Sequence, residues 1–228
     1  MCLILFSYKT HPRYKLIIAG NRDEFYARPT KPADYWDDHR EILAGRDMEA
    51  NGTWMGMNTK SGDIALLTTY RDYEALRPSI GEYNGFNLVL GGPDSLSYFS
   101  SEFNGLKSLA PGVYGLSNAL MNSPWPKVQK GKLKLEAITA ERHFEVARLF
   151  EAMRDDELAD DNNLPDTGVG LEKERMLSPM FIKSPQYGSR CTTVILVDHQ
   201  DKVLYAERTY DTTTFAYETK YHKFKIGE

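Results

Sequence analysis

Apolar runs near both ends of the chain predict buried β-hairpins. Residues 2–8 (CLILFSY) and 14–20 (YKLIIAG) flank the turn-prone THPR, and residues 190–198 (RCTTVILVD) and 202–210 (KVLYAERTY) flank HQD. Short apolar runs bounded by turn residues are typical of strands buried on both faces. We therefore expect two antiparallel hairpins inside the fold.

Other segments predict shorter strands and one long irregular stretch. Strands are expected at 62–70, 96–100, 112–118 and 215–226, while NGFNLVLGG fits either a strand or a helix beginning near Tyr83. The stretch 21–60 is rich in Arg, Asp, Pro and Gly, which predicts an irregular connection. Long loops of this kind are usually functional.

Two helices are predicted in the second half of the chain. The first covers 125–138 and the second covers 140–156, with Thr139 as its N-terminal cap. An acidic, turn-rich surface loop is expected at 155–168. One face of the second helix is apolar and consists of Phe144, Ala147, Phe150 and Met153. Strands at both ends with helices between them predict an α+β fold, with antiparallel sheets covered by a few helices in one domain, 1–228.

Composition narrows the functional classes. The 228 residues are 41% hydrophobic and 26% charged, and 28 basic and 32 acidic residues are well mixed. No basic patch stands out, so a nucleic-acid partner is not expected. We also expect no membrane span, because no apolar run reaches about 18 residues.

The start of the chain does not have the pattern of a signal peptide, so a cytoplasmic protein is expected. The two cysteines, Cys2 and Cys191, are too few for a disulfide framework and should be thiols in a reducing compartment. The five histidines are scattered, which predicts no structural metal.

Cys2 is the first candidate for chemistry. Removal of Met1 would leave a residue that carries both a thiol and a free amine. The reference pKa of an α-amino group is roughly 7.7–8.0 and that of a thiol roughly 8.5, so the amine could take the thiol proton near neutral pH. The alternative is a small buried hydrophobic residue at a strand start, which is how most unpaired cysteines behave.

Charged residues follow the second predicted strand in GNRDEFYARP (20–29). Antiparallel pairing brings the end of this strand to the start of the first, so Arg22 and Asp23 should lie near Cys2. A carboxylate there could hold an ammonium, and a guanidinium would favour a thiolate. The alternative is a solvated strand end with a surface ion pair worth about 0–1 kcal/mol.

Weaker candidates lie at other strand ends. Thr69 and Asn118 could donate hydrogen bonds to a developing oxyanion, although simple turns explain both. Trp54 lies between glycines in NGTWMG, which fits a turn, and Arg190 precedes an apolar strand, where a charge is usually just exposed.

Several segments together resemble one family. They are the initial MC, NRDEFYARPT, EILAGRDMEANGTWMG, TYR, YNGFNLVLG, YGLSNALMNSPWPK and YGSRCTTVILVD, in that order. This series is similar to the NRDE-motif family, the family of transport and Golgi organisation protein 2. The resemblance runs from Met1 to about Tyr210.

The resemblance implies a fold and a site. The family is distantly similar to N-terminal-nucleophile hydrolases of the bile-salt hydrolase and penicillin V acylase type, which have a four-layer αββα fold with two stacked antiparallel sheets. Carried over by residue, Cys2 would be the nucleophile with its own amine as base. Arg22 and Asp23 would lie beside it, Asn118 at the oxyanion site, and Arg190 would be a more distant arginine.

Asn21, Trp54 and Thr69 are expected to contribute to binding. The family usually has Asn where this chain has Thr69, and the threonine hydroxyl is shorter than an amide. Loss of one oxyanion donor costs roughly 2.7–4 kcal/mol of transition-state stabilisation.

Three functions follow as hypotheses. The first is an N-terminal-cysteine amidohydrolase that acts on a small amide or acyl substrate without a cofactor. The second is a non-enzymatic protein of haem or of lipid and acyl-coenzyme A trafficking, with haem as a possible ligand. The third is a structural remnant of a hydrolase with neither role. Retention of Met1 would exclude the first in its simple form, because the Cys2 nitrogen would then be an amide.

Overall fold

The structure is a computed structural model that describes residues 2–71, 85–103 and 105–228. These ranges contain thirteen strands and three α-helices. In chain order they are β1 (Cys2–Tyr8), β2 (Tyr14–Phe25), β3 (Thr30–Tyr35), β4 (Ile42–Asp47), β5 (Met55–Asn58), β6 (Ile64–Thr69), β7 (Phe86–Gly92), β8 (Ser95–Ser100), β9 (Lys107–Ser108), β10 (Gly112–Leu116), α1 (Pro126–Thr139), α2 (Val146–Met153), α3 (Leu171–Leu177), β11 (Tyr187–Asp198), β12 (Lys202–Tyr210) and β13 (Tyr217–Lys225).

The two predicted hairpins form the centre of a six-stranded sheet. Its strand order is β10-β1-β2-β11-β12-β13, and all neighbours are antiparallel. β1 is buried at every position, and β11 is buried at all but two. Both predicted hairpins are therefore confirmed, as is the final strand.

A second sheet of seven strands runs as an antiparallel meander from β3 to β9. The prediction of an irregular stretch at 21–60 was wrong, because this stretch contains the end of β2 and all of β3, β4 and β5. β3, β4 and β5 are only 4–6 residues long, β3 buries a single residue and β4 carries the buried Asp47, so these strands lack a clear apolar alternation. The segment NGFNLVLGG contains β7, and the helix start expected near Tyr83 lies outside the described residues.

The two sheets stack face to face around the larger apolar core. β1 contributes Ile4, Phe6 and Tyr8 to this core, and the facing sheet contributes side chains from β4 to β8. Large residues deep in the core include Leu43, Met55, Leu66, Val89, Ile195 and Tyr205. Alternate residues of β1, namely Leu3 and Leu5, point to the opposite face, as the period of two requires.

Helices α1 and α2 cover that opposite face of the six-stranded sheet, where Val128, Leu135, Leu149 and Phe150 meet Leu3 and its neighbours. The predicted α1 is confirmed. The second helix is shorter than the predicted 140–156, and Thr139 is the last residue of α1 and not a cap, since its hydroxyl donates to the Leu135 carbonyl.

The fold is thus α+β, with two stacked antiparallel sheets and helices on one of them. The outer side of β6 carries the exposed Ala65, Leu67 and Thr69. A fourth, helical layer on that side remains a prediction. Among the described residues, no helix is long and apolar enough to cross a membrane.

Candidate active site

Cys2 lies at the start of β1 in register with Arg22 of β2. Arg22 is in turn opposite Cys191 of β11, so the three residues form a row across neighbouring strands. Both cysteines contribute to the core between the sheets, which places this row on the inter-sheet face. The expected proximity of Cys2 and Arg22 follows from this register.

Arg22 is buried between the two sheets and is held from three sides. Its guanidinium donates to the Thr30 hydroxyl and to a carboxylate oxygen of Asp47, both at 2.7 Å. The indole of Trp54 covers the guanidinium, with 4.2 Å between Cζ and the ring centroid. Trp54 itself packs over Gly45 in β4. A solvated strand end is therefore excluded for Arg22.

Asp47 is the acid that balances Arg22. The same Asp47 oxygen accepts a hydrogen bond from Arg28 Nε at 2.6 Å, and the other oxygen accepts the backbone N–H groups of Glu49 and Ala50. Burial disfavours the charged acid, but these hydrogen bonds outweigh it and lower the pKa of Asp47 to about 2. Arg22 therefore has an ionised partner at neutral pH.

Asp23 points to the helical side of the sheet and is also buried. Its carboxylate accepts a hydrogen bond from the Ser189 hydroxyl at 2.5 Å, and its backbone carbonyl accepts one from the Tyr187 hydroxyl at 3.1 Å. Burial raises the pKa of the Asp23 carboxyl, and the positive charge of Lys127 opposes that rise. The state of this acid thus depends on a nearby cation.

The Cys2 thiol is buried between these two charged residues. Burial raises its pKa, as does the charge of Asp23, whereas Arg22 and a hydrogen bond from the Asp23 backbone N–H lower it. The Cys2 carbonyl accepts a hydrogen bond from the Ser117 hydroxyl at 3.2 Å. The register of β1 and β2 places the thiol at the end of the first hairpin, beside Arg22 and Asp23.

Asn118 follows β10 and continues its register with β1, which places it on the other side of Cys2 from Arg22. Its amide nitrogen donates to the Thr69 carbonyl at 2.9 Å and to the Thr69 hydroxyl at 3.2 Å. The Asn118 backbone carbonyl accepts from the N–H of Arg71. The two candidate oxyanion donors are therefore in contact with each other.

Polar residues of the seven-stranded sheet hold the loop that carries Asn118. The Thr68 hydroxyl donates to the Ser117 carbonyl at 2.6 Å, and the Asn87 amide donates to the Ala119 carbonyl at 3.1 Å. Tyr98 donates to Asn87 at 2.7 Å. These buried bonds tie the end of β10 to the second sheet and fix the position of Asn118 beside β1.

Two predicted site residues face elsewhere. The Asn21 amide nitrogen donates to the Met153 and Met180 carbonyls at 2.8 and 2.7 Å, which joins β2 to the helical layer. Arg190 occupies a β-bulge and is half-buried, and it donates to the carbonyls of Phe25 and Arg28 at 2.9 and 2.8 Å. Their contacts stabilise the surroundings of the hairpin end, and direct roles for them stay predictions.

The structure also brings to this place a buried charged cluster that sequence reasoning missed. Lys127 is buried and donates to the Leu177 carbonyl at 3.0 Å. Arg71 forms an ion pair with the buried Glu174 at 2.8 Å and lies over the Trp125 ring at 4.9 Å. Lys127 interacts electrostatically with both Asp23 and Cys2, so the cluster borders the candidate nucleophile.

One signal in the sequence could have indicated Lys127. The buried face of α1 includes Gly131, Leu135 and Ile138, and Lys127 precedes Gly131 by one turn. A lysine at a position that the helical period assigns to the core is unusual, because lysines are almost never fully buried unless paired. Arg71 and Glu174 carry no such periodic signal.

These features define a two-sheet α+β protein in which a cysteine begins the first central strand, between a buried arginine and a buried aspartate. Comparison with known proteins then identifies the family. The family described as Transport and Golgi organisation 2 matches residues 1–81 and 72–212. Transport and Golgi organization protein 2 homologs from Bos taurus and Homo sapiens are 34% and 33% identical, each with 99% of both chains covered. The Drosophila melanogaster protein is 30% identical, with 92% of both covered. The chain belongs to the Transport and Golgi organisation 2 family.

Proposed function

We propose that the protein is an amidohydrolase-like enzyme with an N-terminal cysteine nucleophile that acts on a small amide or acyl substrate. The observation that supports this most is the register of the first hairpin. It puts Cys2 opposite Arg22 and next to Asp23, and Arg22 and the Asp23 backbone both lower the pKa of the thiol. An activated nucleophile needs such a set of neighbours within reach.

The proposed reaction begins once Met1 has been removed. The α-amine of Cys2 takes the thiol proton, and the sulfur attacks the carbonyl carbon of the substrate. The tetrahedral intermediate collapses with transfer of that proton to the leaving amine, which gives a thioester on Cys2. Water, deprotonated by the same amine, then attacks the thioester and releases the acid and the free thiol.

Charge placement is consistent with this sequence of steps. Arg22 favours the thiolate, and it is held rigidly by Asp47 and Trp54. Asp23, on the other face, would hold the α-ammonium form of Cys2 when the amine carries the proton. Asn118 and Thr69 are the proposed donors to the oxyanion.

The test combines processing with turnover. Intact mass after expression shows whether Met1 is removed, and a library of amide and thioester substrates is then compared between the wild type, Cys2→Ser and Cys191→Ala. Cys191 is the matched control, because it is also buried and lies in the same row, but its thiol donates a hydrogen bond to Glu207.

We expect turnover that Cys2→Ser abolishes and Cys191→Ala retains. Retention of Met1 on the active protein, or equal turnover by Cys2→Ser, would refute the proposal. A haem titration on the same variants tests the non-enzymatic alternative. An absorbance shift at micromolar haem that Cys2→Ser removes would favour it.

A further inference from the structure

Lys127 is a buried charged group that the proposed reaction does not use. It lies in the first turn of α1, and the residue is only 3% exposed. One turn later Gly131 allows α1 to approach β1 closely, since a Cβ there would lie 2.7 Å from Leu5 Cδ1. The helix therefore holds the lysine against the sheet, on the same side as Asp23.

Charged or titratable groups from four other parts of the chain interact with Lys127. They are Cys2 from β1, Asp23 from β2, Arg71 after β6 and Glu174 from α3. Tyr187 of β11 interacts with the same Asp23, Cys2 and Arg71. Burial and the positive charge of Arg71 lower the pKa of Lys127 to about 8, against the opposing effects of Asp23, Cys2 and Glu174. At pH 7 the lysine remains mostly protonated.

One ion pair accounts for two of the charges around Lys127. Arg71 and Glu174 lie 2.8 Å apart and largely neutralise each other. Lys127 Nζ donates one hydrogen bond to the Leu177 carbonyl, which is an uncharged acceptor. Its positive charge is therefore available to the buried Asp23, and a buried charge is costly unless an opposite charge compensates it.

We infer that Lys127 is a positioning residue that keeps the buried Asp23 carboxylate ionised beside Cys2. An ionised Asp23 is what would hold the Cys2 ammonium, so the catalytic consequence rests on the proposed function. The electrostatic pairing of Lys127 with Asp23 does not depend on the proposed function. A neutral residue at 127 leaves Asp23 buried without this cation, and Asp23 then takes up a proton at higher pH.

The experiment is a pH titration of the Asp23 side-chain carboxyl by ¹³C NMR in the wild type, Lys127→Met and Lys127→Arg. Methionine keeps the length and removes the charge, whereas arginine keeps the charge. We expect Lys127→Met to raise the pKa of Asp23 by about one unit or more, a tenfold gain in proton affinity, in the range for one nearby opposite charge. Lys127→Arg should restore most of the wild-type value, which a purely structural role would not do.

A second measurement does not depend on Lys127→Met. In the wild type, the Asp23 carboxyl resonance should show a small additional step as Lys127 loses its proton near pH 8. Lys127→Arg should lack this step, because arginine does not titrate there, whereas the α-amine of Cys2 titrates in both proteins. If Lys127→Met fails to fold, this difference between the wild type and Lys127→Arg decides the matter. Its absence, or an Asp23 pKa in Lys127→Met within about 0.3 units of the wild type, would overturn the inference.

Turnover separates the two proposals. If Lys127→Met leaves the Asp23 titration unchanged while turnover requires Cys2, only the role of Lys127 is refuted. If Lys127→Met shifts the titration but no turnover requires Cys2, only the hydrolase proposal is refuted. If both hold, the acidic limb of the pH–rate profile should move up by about one unit in Lys127→Met and return in Lys127→Arg.

Discussion

Substitution of Gly45 by alanine is expected to disturb the support of Arg22 from a distance. Gly45 lies in β4 on the second sheet, and the Trp54 indole packs directly over it. A Cβ built there would come within 3.0 Å of two indole carbons, Cη2 and Cζ2, a separation that real Cβ atoms essentially never show. The indole cannot simply withdraw, because its ring covers the Arg22 guanidinium at 4.2 Å.

The magnitude follows from two opposing effects. Overpacking a dense core costs about 1–3 kcal/mol. Replacing glycine by alanine also restricts the unfolded chain, which returns about 0.4–1 kcal/mol. The net loss should be about 1–2 kcal/mol, and for a chain of this length that lowers Tm by about 3–6 °C.

The assay is urea unfolding followed by far-UV circular dichroism, with Gly52→Ala as the control. A Cβ at Gly52 would meet nothing within 4 Å, so this variant should unfold at the wild-type urea concentration or slightly above it. In a Trp54→Phe background the smaller ring should remove most of the penalty of Gly45→Ala. Equal stability of Gly45→Ala and Gly52→Ala, or a penalty that persists in the Trp54→Phe background, would refute this account of the packing.

Three further predictions concern polar groups in and around the candidate site. The pKa of Asp47 is about 2 in the folded protein, against an ordinary value of 3.8, so its carboxylate stabilises the fold above about pH 4 and this contribution is lost as the pH falls through 2. The urea midpoint of unfolding should therefore drop less between pH 6 and pH 2 in Asp47→Asn than in the wild type. Equal drops in the two proteins would contradict this prediction. Asn21→Asp turns a carboxylate towards two carbonyl oxygens and should cost about 3 kcal/mol or more, whereas Asn163→Asp on the exposed surface should change the free energy of unfolding by less than about 0.5 kcal/mol. Thr69→Asn should raise any turnover that requires Cys2 by about 10- to 100-fold, because the longer amide supplies an oxyanion donor; unchanged turnover would exclude Thr69 from the oxyanion site.

The apolar hairpins could be predicted because their central strands are buried on both faces, so β1 and residues 194–197 of β11 are almost entirely hydrophobic. The proximity of Arg22 to Cys2 followed from antiparallel pairing alone. The strands between residues 30 and 58 were missed for a physical reason. They are short, and their buried positions include Asp47 and Gly45. Asp47 forms a salt bridge with Arg22 and Gly45 packs against the Trp54 indole, and both partners are brought into place only by folding.

The cluster of Lys127, Arg71 and Glu174 was missed because it is assembled from three distant parts of the chain. Arg71 follows β6, Lys127 begins α1 and Glu174 lies in α3, more than 40 residues apart in each case. No local period relates these positions. Only the docking of α1 and α3 against the end of the six-stranded sheet brings their charges to Asp23 and makes one side of the thiol electrostatically distinct.

The alternation of a β-strand explains how two adjacent residues serve the two faces of the sheet. Arg22 points between the sheets and is neutralised by Asp47, whereas Asp23 points to the helices, where Lys127 compensates it. A slip of one residue in the pairing of β2 would exchange these faces and leave both charges buried against the wrong partners.

The β-bulge at Arg190 contributes to this register, because it lets Ser189 lie opposite Asp23 while Cys191 stays opposite Arg22. Deletion of Arg190 removes the extra residue and still leaves Ser189 opposite Asp23 and Cys191 opposite Arg22. It should therefore change the free energy of unfolding about as much as Arg190→Ala, because both variants lose the hydrogen bonds to the carbonyls of Phe25 and Arg28. A much larger loss of stability in the deletion variant would show that the hairpin end depends on the bulge itself.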